Sequence, residues 1–231
     1  MTYTELTDAI ITYTQNDDPA FIEYIPTFVQ QAEERIYNSV QIPPLRKNVT
    51  GILPAYNSTT NPIAMYLSCP GDFMSVFSMA IKNAPTGYEY LLNKDVNFLR
   101  AAYPNPTETG LPKYYALFGL NVVDGAPQDS LSFMFAPTPD INYNVELHYY
   151  AYPQSIVDAE DGTTWLSLNY SPVLLYGALL EAYVFMKGEA DVMAFYKGKY
   201  DEALAQLNRL GTGLERGDAY RDGQAKIKVN P

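Results

Sequence analysis

One cysteine, one histidine and one tryptophan in 231 residues leave little of the material from which catalytic and metal sites are made. With Cys69 alone no disulfide can close within the chain, and a reducing place of synthesis is expected. Zinc sites draw on several Cys and His ligands, whereas this chain holds two such residues in total. His148 cannot supply a nucleophilic triad by itself. Paired with Cys69 it could make a thiol and base, but the sequence around neither residue matches a nucleophile motif. Cys69 reads as a small buried hydrophobe, and His148 as an exposed or hydrogen-bonded member of a strand. Positive charge is scarce as well: 15 Lys and Arg against 26 Asp and Glu give a net charge of −11. Such a chain is no general nucleic-acid binder, because phosphate contacts need clustered basic side chains. Glycine-rich phosphate loops are missing, since Gly211-Thr212-Gly213 lacks the further glycines, the lysine and the preceding strand. No apolar run approaches membrane-spanning length, and Met1 to Tyr13 has neither a basic start nor a continuous apolar core, so no secretion signal is expected. The expectation is a soluble protein synthesised in the cytoplasm.

What the chain does have is 21 Tyr and 17 Pro. Tyrosine joins a large contact face to a polar tip and suits extensive, wet interfaces; it is also a favoured strand residue, and both readings stand. The acidic residues form no recognisable site. Asp158, Glu160 and Asp161 before Gly162 do not follow the order of an EF-hand loop and read as a solvated acidic turn. Glu33 and Glu34 share a helix with Gln30 and Gln31, which favours solvent exposure for both. A two-carboxylate glycosidase is kept as an alternative.

The pattern along the chain predicts an α+β fold: a helical body from two N-terminal helices and a C-terminal helical hairpin, an antiparallel β-rich middle region and an extended C-terminal arm. Residues 1–210 are expected to form one folding unit, helical at 2–42 and 171–210 and β-rich at 49–152, with 211–231 as the arm. Thr2 and Glu5 have capping-box spacing, and Leu6, Ala9, Ile10 and Tyr13 recur at helical intervals, which predicts a helix over Tyr3 to Thr14. Asn16 to Pro19 breaks it. Pro26 then suits the first turn of a second helix with Phe28, Val29, Ala32 and Ile36 inward, ended by Pro43-Pro44.

Short alternating runs predict strands at 63–67, 73–81, 113–120, 131–136 and 145–152, with one helix at 94–103 capped by Asn93. In the last strand Val145, Leu147, Tyr149 and Ala151 point one way, and Glu146, His148, Tyr150 and Tyr152 the other. Ser171-Pro172 reads as a cap and first turn before a helix stopping near Lys187-Gly188. A last helix, with Met193, Tyr196, Tyr200, Ala203, Leu204, Leu207 and Leu210 at helical spacing, is expected to end on Gly211. Beyond it apolar residues are few, as in an arm that orders on meeting a partner.

Several segments, in order, carry a family resemblance. Ile25-Pro26-Thr27-Phe28 leads to Ala32-Glu33-Glu34-Arg35-Ile36. Leu111-Pro112-Lys113-Tyr114-Tyr115-Ala116, Phe135-Ala136-Pro137-Thr138-Pro139 and Tyr149-Tyr150-Ala151 follow. Thr163-Thr164-Trp165-Leu166 then runs through Ser171-Pro172 and Tyr176-Gly177-Ala178-Leu179-Leu180-Glu181-Ala182 to Tyr200-Asp201-Glu202-Ala203-Leu204. Together they resemble the head-to-tail adaptor proteins of tailed bacteriophages. The resemblance implies a structural virion protein at the head–tail junction, without catalytic activity or cofactor. It implies a homo-oligomeric ring, commonly of twelve subunits, between the portal protein and the tail or nozzle proteins, with DNA passing through its lumen without specific binding and no contact with a membrane. It also implies an arm that reaches the portal, for which Arg216, Tyr220, Arg221, Lys226 and Lys228 are the candidate residues, although Glu215, Asp218 and Asp222 nearly cancel their charge. The competing readings are another tail component such as a collar or tube-end protein, a virion-associated cell-wall glycosidase, and a carbohydrate-binding module with exposed Tyr and Trp165. For Trp165, anchoring a helix is the simpler role.

Overall fold

The computed structural model describes residues 1–61, 64–83, 87–123 and 126–215, and the expected α+β architecture is observed. In chain order the described residues form helices α1 (Tyr3–Thr14) and α2 (Pro19–Ser39), a 3-10 turn (Pro43–Leu45), and strands β1 (Arg46–Leu53), β2 (Tyr66–Ser68), β3 (Phe73–Asn83), β4 (Gly87–Tyr90) and β5 (Leu92–Asn93). Helix α3 (Val96–Ala102) and strands β6 (Tyr114–Val123), β7 (Ala126–Ala136) and β8 (Tyr143–Ala151) follow. Helices α4 (Trp165–Asn169), α5 (Ser171–Phe185) and α6 (Ala190–Glu215) complete the order. Two compact units result: a helical unit of Met1–Leu45 with Pro153–Pro231, and a sheet unit of Arg46–Tyr152 inserted into it along the chain.

In the helical unit α1 has the predicted bounds and capping box, with Thr2 Oγ1 accepting from Glu5 N–H at 3.2 Å and Glu5 Oε2 accepting from Thr2 N–H at 2.9 Å. The second helix begins earlier than predicted. Asp18 caps it by accepting from Ala20 N–H at 2.9 Å, and Pro19 occupies its first turn, so Pro26 lies inside the helix. The carbonyl that Pro26 leaves without a donor belongs to Ile22, on the exposed face where water can take it up. Ser171 is not a cap either: it is already helical, and the side-chain cap stands at Thr164, whose hydroxyl accepts from Ser167 N–H at 3.3 Å to start α4. Leu166, buried to 1% exposure, anchors that turn, and Trp165 is only half-buried.

The largest correction concerns the end of the chain. Gly211 does not end α6, which continues to Glu215. A Cβ at Gly211 would stand 2.2 Å from Ile42 Cγ2, so this glycine lets α6 press against the segment after α2. An arm starting at 211 is therefore incompatible with residues 211–215, and residues 216–231 lie outside the described part. Helix α6 folds back along α5, with Tyr183 near Tyr196, Gly177 near Tyr200 and Tyr170 near Gln206, which is the antiparallel order.

The sheet unit is two four-stranded sheets. One runs β1-β8-β3-β4 and is antiparallel throughout; the other runs β2-β7-β6-β5, with β5 parallel to β6 and the rest antiparallel. Strand β8 shows the predicted alternation, with Val145, Leu147, Tyr149 and Ala151 buried against Phe133, Phe135 and Met79. Tyr150, on the opposite face, is covered as well, because Arg46 lies over its ring at 5.0 Å and over Phe77 at 4.1 Å. The predicted helix at 94–103 is shorter and is capped by Asp95, not Asn93, which belongs to β5. The predicted strand at 63–67 is shifted to Tyr66–Ser68, and Ile63 lies outside the described residues. Strands β1, β4 and β5 had no counterpart in the sequence reading.

Candidate assembly interface

The segment Ala32-Glu33-Glu34-Arg35-Ile36 meets α5, so two segments that carry the family resemblance are brought together. Each inward or lateral residue has a distinct task. Ala32 is buried beside Gly177, where an added Cβ would lie 3.1 Å from its own. Ile36 is fully buried, and the Arg35 guanidinium pairs with the Glu181 carboxylate of α5. Glu33 overturns the expectation of exposure: it is 3% exposed, and its Oε1 accepts from Ile156 N–H at 3.0 Å. Burial raises its pKa, and the Ser155 hydroxyl and the Ile156 N–H oppose that rise. Tyr37, one turn further on, is pushed above the usual phenol range by burial first and by Glu33 second. Glu34, by contrast, is exposed as predicted. The acidic turn joins the same framework, with Gly162 accepting from Tyr3 N–H at 2.8 Å.

Around this framework the helical unit leaves aromatic side chains at its surface. Tyr24 of α2 and Phe185 of α5 are 49% and 45% exposed, with ring centroids 5.1 Å apart, above Phe28 and Phe21. A second group links Tyr176 and Tyr183 of α5 to Tyr196 of α6, beside the 60% exposed Phe195. The sheet unit exposes Phe77, Tyr88 and Tyr90. Clustered half-exposed aromatic rings are the ordinary chemistry of protein contact, because they bury large area with few rotors. Tyrosine therefore serves both readings offered by the sequence: Tyr149 and Tyr143 pack in the sandwich, whereas Tyr24, Tyr88 and Tyr90 face outward.

The residues weighed for chemistry are kept apart. His148 lies on the outer face of β8, its Nε2 2.7 Å from Glu146 Oε1. Hydrogen bonds from His148 and Tyr88 hold the Glu146 carboxyl below its usual range. Cys69 lies in the sandwich core, 6% exposed, so the sheet separates it from His148. Burial pushes its thiol up to about 12. Native Cys69 is therefore expected to stay unmodified by thiol reagents at pH 8 until the sheet unit unfolds, and prompt full labelling of the folded protein would place it outside the core. Among the described residues no group of three or more His, Cys, Asp and Glu is placed to hold a metal ion, and no helix is long and apolar enough to cross a membrane.

Two cavities differ in character. One, ≈300 Å³, lies beside the Arg35–Glu181 and Lys197–Asp201 pairs, where both carboxylates already have a cation. The other, ≈240 Å³, is apolar and opens between β1 and β2, lined by Val49, Gly51, Leu67, Met79 and Phe133. Sequence reading missed its mouth because β1 was not anticipated. The arm candidates Arg216, Tyr220, Arg221, Lys226 and Lys228 all lie outside the described residues. A family model described as SU10 adaptor protein matches residues 1–225. No curated protein matches the chain.

Proposed function

The chain belongs to the SU10 adaptor protein family, a phage head-to-tail adaptor family and hence one of structural virion proteins, and from that premise we propose that it forms a ring between portal and tail. The observation that carries the reading is the family match over residues 1–225, together with the aromatic surfaces on α2, α5 and α6. A closed ring needs two different patches on each subunit, one for each neighbour, and the Tyr24–Phe185 and Tyr196–Phe195 groups are two distinct candidates. Twelve copies are expected in the ring. DNA passes through its lumen, and the net charge of −11 keeps that path from retaining phosphate. An uncovered basic lumen in the assembled ring would contradict this part.

The chain beyond α6 is proposed as the portal-binding arm, with Arg216, Tyr220, Arg221, Lys226 and Lys228 as its contacts. Electron cryomicroscopy of the protein mixed with its phage's portal tests the reading, with the protein alone as control. A ring on the portal is the expected result, and absence of any association would sink the adaptor role for this chain. Removal of residues 216–231 is expected to weaken portal docking while leaving the circular-dichroism melt unchanged. A chain ending at Glu215 that no longer folds would refute the division between body and arm.

A further inference from the structure

Helix α6 carries different chemistry on its two flanks. Its buried stripe is Tyr196, Tyr200, Ala203 and Leu207. At about 100° per residue, Phe195, Lys199, Glu202 and Gln206 fall roughly a quarter turn to one side of that stripe, and Lys197 and Asp201 roughly a quarter turn to the other. The neighbours of each flank agree with this placement. The first lies beside Tyr170 and Tyr176, and the second beside Arg35 of α2 and Leu180, Glu181 and Val184 of α5.

The first flank bears a knob. Phe195 is 60% exposed, and its ring stands edge-on to that of the buried Tyr196, with centroids 5.6 Å apart, so it projects from a fixed base. The second flank holds a slot, the cavity of ≈300 Å³. Leu180, Val184 and Tyr200 line it, its exposed lining is mostly apolar, and the Arg35–Glu181 and Lys197–Asp201 pairs stand around it. An apolar cavity of about 150 Å³ already holds a benzene-sized group, so a phenyl ring has room here. An apolar hole with polar surroundings is how anchor side chains are seated at protein interfaces, the hole desolvating the anchor and its rim excluding water. Val184 is 56% exposed and directly precedes Phe185, so the slot adjoins the Tyr24–Phe185 surface.

Charge decides where a second copy can approach. Residues 1–34 carry seven Asp and Glu and no Lys or Arg, so two copies repel each other wherever both present α1 or the start of α2. Around knob and slot the charges are already matched: Lys199 with Glu202 at 3.5 Å beside the knob, and Lys197 with Asp201 at 2.7 Å and Arg35 with Glu181 at the slot. We propose that Phe195 of one copy seats in the slot of the next, between Leu180, Val184 and Tyr200. This rests on the ring reading above. Knob and slot face opposite ways from one helix, so the contact is head-to-tail. Each copy gives its knob to one neighbour and its slot to the other, as a closed ring requires. The ion pairs come together at the rim, and no charge is buried alone.

The test is electron cryomicroscopy of the full chain assembled on its phage's portal, with two variants measured beside it. Phe195→Ala removes the knob and Val184→Trp fills the slot. Both positions are exposed, so each variant is expected to melt as the natural chain does. The expected map shows Phe195 in the slot of the adjacent subunit, with about tenfold fewer portals bearing a complete ring for each variant. A photoreactive benzophenone analogue of phenylalanine at position 195 keeps the aromatic knob and reads the contact without relying on a weakened variant. Illumination of the assembled ring is expected to join it to the α5 segment of another copy that contains Leu180 and Val184. A complete ring whose slot is empty, or holds a portal or tail-protein segment, overturns the proposal and leaves the ring intact. So do crosslinks that land elsewhere, or two variants that assemble as well as the natural chain. Failure of the natural chain to make a ring removes both this proposal and the ring reading.

Discussion

Gly211→Ala is expected to destabilise the helical unit by about 1–3 kcal/mol, although the same change in an exposed helix ordinarily stabilises by up to about 1 kcal/mol. The sign reverses because of one neighbour. A methyl group on Gly211 would lie 2.2 Å from Ile42 Cγ2 and 3.2 Å from Ile42 Cβ, atoms next to the backbone that cannot swing aside as a flexible side-chain end would. Ile42 is itself 1% exposed, so its shift must be accommodated by the surrounding core. The same helix provides its own controls. Gly198 and Gly213 have nothing within 4 Å of the place a Cβ would take, and Ala at either position is expected to stabilise. Ile42→Ala removes the clashing methyl, so the double variant with Gly211→Ala is expected to cost less than the sum of the two single changes. Thermal melts of the five variants decide the matter; a Gly211→Ala protein as stable as Gly213→Ala would show that α6 does not approach Ile42 as closely as described.

The contrast among these glycines marks what was legible in the sequence. A glycine after an apolar helical run reads as a stop, and Gly211 was so read. Its second meaning was present too: Ala203, Leu207 and Gly211 fall at four-residue intervals on the buried stripe. Choosing between the meanings required knowing what lies opposite, and Ile42 is far away along the chain. Local signals fared better. The Thr2 and Glu5 box fixed α1 because all its partners lie within four residues, and the alternation of β8 identified its buried face because both sides of the strand follow the period of two. Strand β1 escaped because Arg46-Lys47-Asn48 precedes Val49 and Gly51 sits near its end, so the alternation is too weak to be seen on an edge with one covered side. The start of α2 was misplaced because two prolines, Pro19 and Pro26, both suit a first turn, and the Asp18 cap decides for the former.

The second large effect is expected at Glu33, whose burial no local pattern announces, since its partner Ile156 is 123 residues away. Glu33→Ala would leave the buried Ile156 N–H without an acceptor and open a void beside it, at an expected cost of about 2–4 kcal/mol. Glu33→Gln keeps a carbonyl oxygen for that N–H and removes the charge, so it is expected to change stability at neutral pH by less than about 1.5 kcal/mol, or to raise it. The pH dependence separates burial of a charge from loss of a contact. Burial raises the folded-state pKa of Glu33 above the ordinary carboxylate range, against the opposing hydrogen bonds of Ser155 and Ile156. The folded protein therefore holds a proton on this group over a range of pH where the unfolded chain has released it. Its contribution to stability is fully present below the ordinary carboxylate pKa and is lost as pH rises through the raised folded-state value. Subtracting the stability of Glu33→Gln from that of the natural chain cancels the other carboxylates, and the difference is expected to fall from acidic to neutral pH. Asp72 illustrates the opposite sign. Burial pushes its carboxyl up, but hydrogen bonds from Lys47 at 2.6 Å and Tyr149 at 2.8 Å prevail and hold it low, so its contribution is lost as pH falls. A difference curve for Glu33 that is flat, or that rises with pH, would mean that the Ser155 and Ile156 hydrogen bonds offset or outweigh the cost of burial and hold the carboxylate charged in the folded protein.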